Sequence, residues 1–478
     1  MARESKNKPR RASVGKEYVI AAYLFVALFV ALIGYIVYFN IQLRDDLLSS
    51  AYNKRQDAQE ERVIRGSIVS SDGAILAKTE VDGEANEKRV YPFENIFAHI
   101  VGYSTRGRSG LEAVLNKDLL SSHEAIIDQV QQDIKAEKKS GDTVITTLDT
   151  KMQRAAYDAL GDYRGAIVVM EPSTGKILAM VSKPDFNPNN IAYNWEELVA
   201  EGNNSQLLNR ATQGMYAPGS TFKVVTSLAY LKEHGNVNDF YFDCEGEITI
   251  EGHTVHCYNN NVHGGEDYFE AFAKSCNGAF AEIGADLGWN KMRATAEQVL
   301  FNETLPIPVP YYKSKFTLES GSGTPLVMQT AIGQGDTLTT PMHMAMITSA
   351  IANGGELMKP MVLEGVESAA GEHVKTYEPS SYKRLMTAEE SQILKNLMSA
   401  VVTEGTASHL SERDYTVAGK TGTADHGDMQ GAPHSWFIGF SNVENPDIAV
   451  SIIVEESGTG SEIAVPLARR IFDAYYYE

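Results

Sequence analysis

A serine that acts as a nucleophile needs a base within reach and donors aimed at the charge it creates. Ser220-Thr221-Phe222-Lys223 supplies the first pair. Pro218-Gly219 closes a loop just before it, and an apolar run with helical spacing follows, so a helix is expected over residues 219–233. Three residues apart on a helix puts Ser220 and Lys223 on one face. At the helix start the serine also feels the positive end of the dipole. Lys223 would take the serine proton if its amine were neutral, and burial or a neighbouring positive charge favours that form.

Spacing alone does not select this serine. Ser-x-x-Lys occurs five times, at Ser5, Ser13, Ser173, Ser220 and Ser380. Ser5 and Ser13 lie in a basic N-terminal tail, Ser173 in a turn, and Ser380 in a polar stretch after Pro379. Only Ser220 opens an apolar helix. An ordinary helix N-cap explains it equally well at this point.

Two further motifs follow in order. Ser275-Cys276-Asn277 falls within a helix expected over 266–287. Lys420-Thr421-Gly422-Thr423 lies in a strand-like run and holds the only Lys-Thr-Gly of the chain. A lysine and two hydroxyls along a strand edge suit a carboxylate, and the glycine lets a ligand approach the backbone. Gly419-Lys420-Thr421 also matches the end of a P-loop. That motif needs glycine where Asp414 stands, and a helix where strand-like sequence follows. The P-loop reading is rejected.

These motifs need a scaffold. A helix over 150–161 precedes two apolar strands around Pro172-Ser173-Thr174-Gly175. Tyr415–Ala424, Ser435–Ser441 and Ile448–Glu455 read as three neighbouring strands, and a helix from Ala464 to Tyr476 closes the chain. Terminal strand–helix blocks around a mostly helical middle imply an α+β domain. Upstream, alternation around Asp72-Gly73 reads as a hairpin, and Ile41 to Gln59 as a polar helix.

The ordered trio resembles the active-site signature of penicillin-binding transpeptidases and serine β-lactamases. Tyr216 to Lys223, His263-Gly264, Ser275-Cys276-Asn277, Gly333-Gln334-Gly335 with Thr340-Pro341, and Ala418 to Ala424 resemble the class B penicillin-binding proteins. Arg65-Gly66 and Gly102 to Glu112 resemble that class's N-terminal pedestal, and Gly278 departs from a threonine common there. The resemblance implies a penicillin-binding, serine β-lactamase-like fold: an antiparallel sheet flanked by helices. It also implies roles. Ser220 attacks the penultimate D-Ala carbonyl of a peptidoglycan stem peptide and Lys223 accepts its proton. Ser275 and Lys420 relay a proton to the leaving D-Ala, and Asn277 holds Lys223 and the substrate amide. Thr421 and Thr423 hold the terminal carboxylate beside Gly422. Backbone N–H groups of Ser220 and Thr423 form the oxyanion hole. β-Lactams would acylate the same serine.

Charge and hydropathy bound the rest. Net charge is −20, yet residues 1–17 carry a local +4, which leaves a strongly acidic body unsuited to nucleic acid. An uncharged run from Tyr18 to Phe39 follows the tail, long enough to span a bilayer as a helix. The expected organisation is a cytoplasmic tail (1–17), a transmembrane helix (18–39), an extracytoplasmic pedestal (40–148) and a transpeptidase domain (149–478). The stretch between Phe39 and Asp149 is too short for a glycosyltransferase domain as well as a pedestal. A monofunctional enzyme of the compact Gram-positive type is expected, working in division or elongation beside a polytopic SEDS-type glycosyltransferase. A D,D-carboxypeptidase, a β-lactamase or a β-lactam sensor are the alternatives. Cys244 and Cys257 flank a strand-like stretch and would suit a disulfide or two thiols. No Cys-x-x-Cys or His-Glu-x-x-His occurs, so neither a metal nor a cofactor is expected.

Overall fold

The computed structural model describes residues 15–39, 60–124, 137–200, 205–425 and 431–477. The chain divides into two units, Met1–Asp57 and Ala58–Glu478. In the first, Lys16–Tyr38 forms one helix of 23 residues, long and apolar enough to cross a membrane. The helix expected over Ile41 to Gln59 lies outside the described residues, as do Ser5 and Ser13.

The second unit is built on a five-stranded antiparallel sheet. Its order is Val417–Ala424, His434–Ser441, Ala449–Val454, Gly165–Met170 and Ile177–Lys183. Chain segments about 280 residues apart thus share one sheet, pairing Ala449 with Met170 and Val454 with Gly165. Every residue of Gly165–Met170 and Ala449–Val454 is buried, so both faces are covered. Helices Thr150–Leu160 and Val465–Tyr477 pack together against it, and Pro341–Ala352 packs with Ala388–Thr403. The five elements expected around this sheet are present within two residues of their expected ends.

One expectation fails where it matters. The helix expected over 266–287 is two helices, Tyr268–Ala273 and Asn277–Gln298. A capping box of Asp267 and Glu270 starts the first. Ser275 then takes φ +60°, and Cys276 turns its N–H back to Ala271 O at 2.8 Å. A left-handed serine stops the α-helix there.

A six-stranded sheet runs in the order His373–Thr376, Leu363–Glu367, Thr143–Thr146, Ile68–Val69, Ile75–Val81 and Glu87–Val90. The expected hairpin turns at Gly73, with φ +84°. Strand Leu363–Glu367 arrives from far along the chain and ties this sheet to the rest of the unit. Beside it, Glu112 is fully buried between Arg65 and Arg89, at 2.6 and 2.7 Å. Tyr91 Oη donates to the same carboxylate at 3.2 Å. Removing Glu112 would leave Arg65, itself buried, with only the more distant and partly exposed Glu60 at 3.9 Å. Glu112→Ala is expected to lower stability by about 3–5 kcal/mol in urea unfolding of the second unit, Ala58–Glu478, with the Arg65→Ala, Glu112→Ala double variant losing less than the sum.

Candidate active site

Ser220 sits in a 3-10 turn, Gly219–Phe222, that runs into helix Lys223–His234. The segment before it is held on several sides. Tyr216 exchanges backbone hydrogen bonds with Thr339 at 2.9 and 2.8 Å, and its hydroxyl donates to Glu455 at 2.7 Å. Arg210 and Arg164 hold the same Glu455 at 2.8 and 3.0 Å. Trp436 Nε1 donates to Ala217 O at 3.1 Å. Gly219 has φ +52°, and a Cβ there would come within 2.6 Å of Thr423 O. A Cβ on Gly333 would fall 1.8 Å from Gly219 O. Gly219 therefore lets the Ser220 turn lie directly on strand Val417–Ala424, and Gly333 lets its own loop lie against that turn. That strand is the edge of the five-stranded sheet.

The sequence motifs converge here. Lys223 Nζ, fully buried, donates to Ser275 O at 2.7 Å, to Asn277 Oδ1 at 2.8 Å and to Ser275 Oγ at 3.1 Å. Lys420, from the edge strand and also fully buried, places its Nζ 2.9 Å from the same Ser275 Oγ. One hydroxyl thus bridges two amines. The left-handed turn at Ser275 is what brings Ser275 and Asn277 to Lys223 together. Asn277 is itself braced by its Nδ2–H donating to His256 O at 3.0 Å.

Burial drives the electrostatics. Desolvation lowers Lys223 from 10.5 to about 8. Lys420 is pushed well below its ordinary value, first by burial and then by Lys223. Two amines on one hydroxyl disfavour a double positive charge, so the pair holds its protons jointly. For Lys223, the fall raises the neutral, proton-accepting fraction near pH 7 by roughly two orders of magnitude.

Ser220, Ser275, Asn277, Thr421, Gly422 and Thr423 line one cleft of about 210 Å³, with the two lysines buried behind Ser275. Thr421 and Thr406 hydroxyls are 2.5 Å apart. A Cβ on Gly422 would meet Thr221 at 2.9 Å, so the strand needs a glycine there. Thr406, Thr459 and Ser461 also line the cleft and escaped the sequence reading. Thr406 lies in a turn, Thr459 caps the π-helical turn Gly460–Ala464 and Ser461 sits inside it, and none of the three carries a motif. Only the packing of Gly460 against Gly422, where a Cβ would lie 2.5 Å from Gly422 O, brings Thr459 and Ser461 in. The stretch 426–430 beside the cleft lies outside the described residues. The arrangement suits acyl transfer: a serine nucleophile, a neutralised amine, a hydroxyl relay and an edge strand to hold an extended ligand.

Residues 165–473 match the penicillin binding protein transpeptidase domain, and residues 65–144 the penicillin binding protein A dimerisation domain. The chain is 31% identical over 468 residues to peptidoglycan D,D-transpeptidase PbpA of Mycolicibacterium smegmatis, covering 89% of this chain and 91% of that one. Penicillin-binding protein A from M. tuberculosis, solved as a ceftriaxone acyl-enzyme complex, superimposes with TM-score 0.80 at 28% identity, over 88% of this chain and 99% of that one. A D,D-transpeptidase domain from Eggerthella lenta gives TM-score 0.79 at 31% identity, over 87% and 98%.

Acylation by fluorescent penicillin is expected to rise with pH through about 8 and then level off, because Lys223 accepts a proton only when neutral. A profile still climbing towards pH 10 would refute the lowered amine. Ser275→Ala is expected to slow acylation by about 10²-fold or more, measured by stopped labelling, with the melting temperature little changed.

Proposed function

The chain belongs to the penicillin-binding protein transpeptidase family, and from that premise we propose how its own residues carry the reaction. The protein is a peptidoglycan D,D-transpeptidase of cell-wall synthesis that works through an acyl-enzyme and binds β-lactams. Ser220 is the nucleophile and Lys223 its base. The observation that carries this assignment is the single Ser275 hydroxyl between two buried amines, behind Ser220.

In the first half-reaction Ser220 Oγ attacks the penultimate D-Ala carbonyl and its proton passes to Lys223. Negative charge on the carbonyl oxygen meets the N–H groups of Ser220 and Thr423. The close approach of Gly219 to Thr423 O supports that pairing. One such donor contributes about 3–4 kcal/mol to the barrier. The proton then passes through Ser275 and Lys420 to the leaving amine, and D-Ala departs. Thr421 and Thr423 hold its carboxylate beforehand, with Gly422 leaving room. Asn277 orients Lys223 and the substrate amide. In the second half-reaction an amine from a neighbouring stem attacks the acyl-enzyme and the same relay runs in reverse.

Residues 1–17 act as a cytoplasmic tail and 18–39 as the single membrane span, supported by the apolar helix Lys16–Tyr38 and the basic residues before it. Residues 40–148 are the extracytoplasmic pedestal and 149–478 the transpeptidase domain. A polytopic SEDS-type glycosyltransferase supplies the glycan strand, a reading supported by the short stretch between Phe39 and Asp149, which would not hold that domain as well as the pedestal. The acidic body argues against a nucleic-acid partner.

Two measurements check this. Fluorescent penicillin should label the wild-type ectodomain and not Ser220→Ala; a labelled variant would sink the nucleophile assignment. Given a stem peptide and an amine acceptor, the enzyme should form the cross-linked amide. D-Ala release without that amide would make it a carboxypeptidase instead.

A further inference from the structure

Thr406 has no place in the mechanism above, yet its hydroxyl stands 2.5 Å from that of Thr421. It lies in the turn after helix Ala388–Thr403 and lines the same cleft as Thr421 and Thr423. Its backbone is fixed from the other side. Thr406 N–H donates to Ala273 O at 3.3 Å, and Ala407 N–H donates to Val401 O at 3.0 Å. A Cβ on Gly405 would fall 2.3 Å from Ala273 O, so the turn lies this close only because position 405 has no side chain. Ala273 ends helix Tyr268–Ala273, two residues before Ser275. Thr406 thus ties the Lys-Thr-Gly strand to the helix that leads into the Ser275 turn.

Counting protons fixes the direction of the hydroxyl contact. A threonine hydroxyl carries one proton and two lone pairs, and a carboxylate only accepts. When a ligand carboxylate is bound, the Thr421 proton goes to it. The 2.5 Å contact then has only the Thr406 proton to fill it. Without that proton, two sets of lone pairs would face each other. The bonds run from Thr406 to Thr421 to the carboxylate, and in such a chain each bond polarises the next. In the reverse direction Thr421 would donate to Thr406 and turn its proton away from the ligand. Thr421 is 5% exposed, and its hydroxyl has no hydrogen-bond partner but Thr406 among the described residues. Thr423 has a longer counterpart, because Gly460 N–H approaches its Oγ at 3.5 Å. A backbone amide only donates, so this hydroxyl also keeps its proton for the ligand.

We propose that Thr406 is a positioning residue whose hydroxyl donates to Thr421 and aims the Thr421 proton at the terminal carboxylate of the substrate. The inference rests on the reading that Thr421 holds that carboxylate. Thr406 acts on the ligand through Thr421, and it favours ligands that carry a free carboxylate over those that do not. Because Thr406 is held by Ala273 O, it also keeps the Thr421 hydroxyl in register with the Ser275 turn across the cleft.

The full chain in detergent is acylated with penicillin G and with its methyl ester, which lacks the free carboxylate. Rates are read by competition with fluorescent penicillin. Thr406→Ala should lower the second-order acylation rate about tenfold for the free acid and less than about twofold for the ester. Thr406→Ser keeps the hydroxyl and should match the wild type on both. In the Thr406→Ala, Thr421→Ala double variant, the loss on the free acid should equal that of Thr421→Ala alone, because the two hydroxyls act in series. An equal loss on acid and ester would overturn the positioning role, as would no loss on either. So would a Thr406→Ser variant as slow as Thr406→Ala, or losses that add in the double variant. Each of these leaves Thr421 as the carboxylate holder, provided Thr421→Ala is itself slower on the acid than on the ester. If Thr421→Ala treats acid and ester alike, the carboxylate role of Thr421 falls and the inference falls with it.

Discussion

The hydroxyl of Ser275 stands between the amines of Lys223 and Lys420, both fully removed from water. Burying one lysine is costly, and burying two side by side as ammonium ions would be prohibitive. The site therefore persists only with the pair partly neutral and each amine hydrogen-bonded. Lys223 finds its partners in Ser275 and Asn277, and Lys420 in Ser275 and the Thr421 carbonyl at 3.2 Å. The same burial that requires partial neutralisation lowers Lys223 to about 8, so a neutral amine is available near neutral pH.

Three elements must meet for this contact to form: the helix that starts behind Ser220, the break between two helices at Ser275, and an edge strand of the sheet. Each is held from outside the site. Glu455 anchors Tyr216 and, through it, the approach to Ser220. Glycines at 219 and 422 remove the side chains that would keep turn and strand apart, and Gly333 lets its loop close on the turn. The sheet joins residues 165–183 to residues 417–454, so the catalytic groups become neighbours only when the second unit folds as a whole. Strand Leu363–Glu367 extends this cooperativity into the six-stranded sheet around Arg65 and Glu112.

Much of this was legible in the residues. The apolar span, the hairpin at Gly73, the terminal strands and the last helix all follow from period and turn chemistry. Those signals are local, and the structure agrees to within a residue or two. The order of the three motifs identified the cleft residues Ser220, Ser275, Asn277 and Thr421 to Thr423, and the structure gathers them around one cleft with both lysines behind it. Thr406, Thr459 and Ser461 were invisible because a single hydroxyl in a turn or at the start of a one-turn helix carries no periodicity.

The sequence by itself determined which residue types were available, in what order, and which faces of helices and strands they occupy. Residue type and period report burial, and burial is what those patterns encode. Only the tertiary structure decided that the helix expected through Ser275 breaks and that one hydroxyl serves two lysines. A left-handed serine goes against local preference. It is selected by hydrogen bonds to Lys223 and Lys420, 52 and 145 residues away, and no local pattern in the sequence records such distant partners.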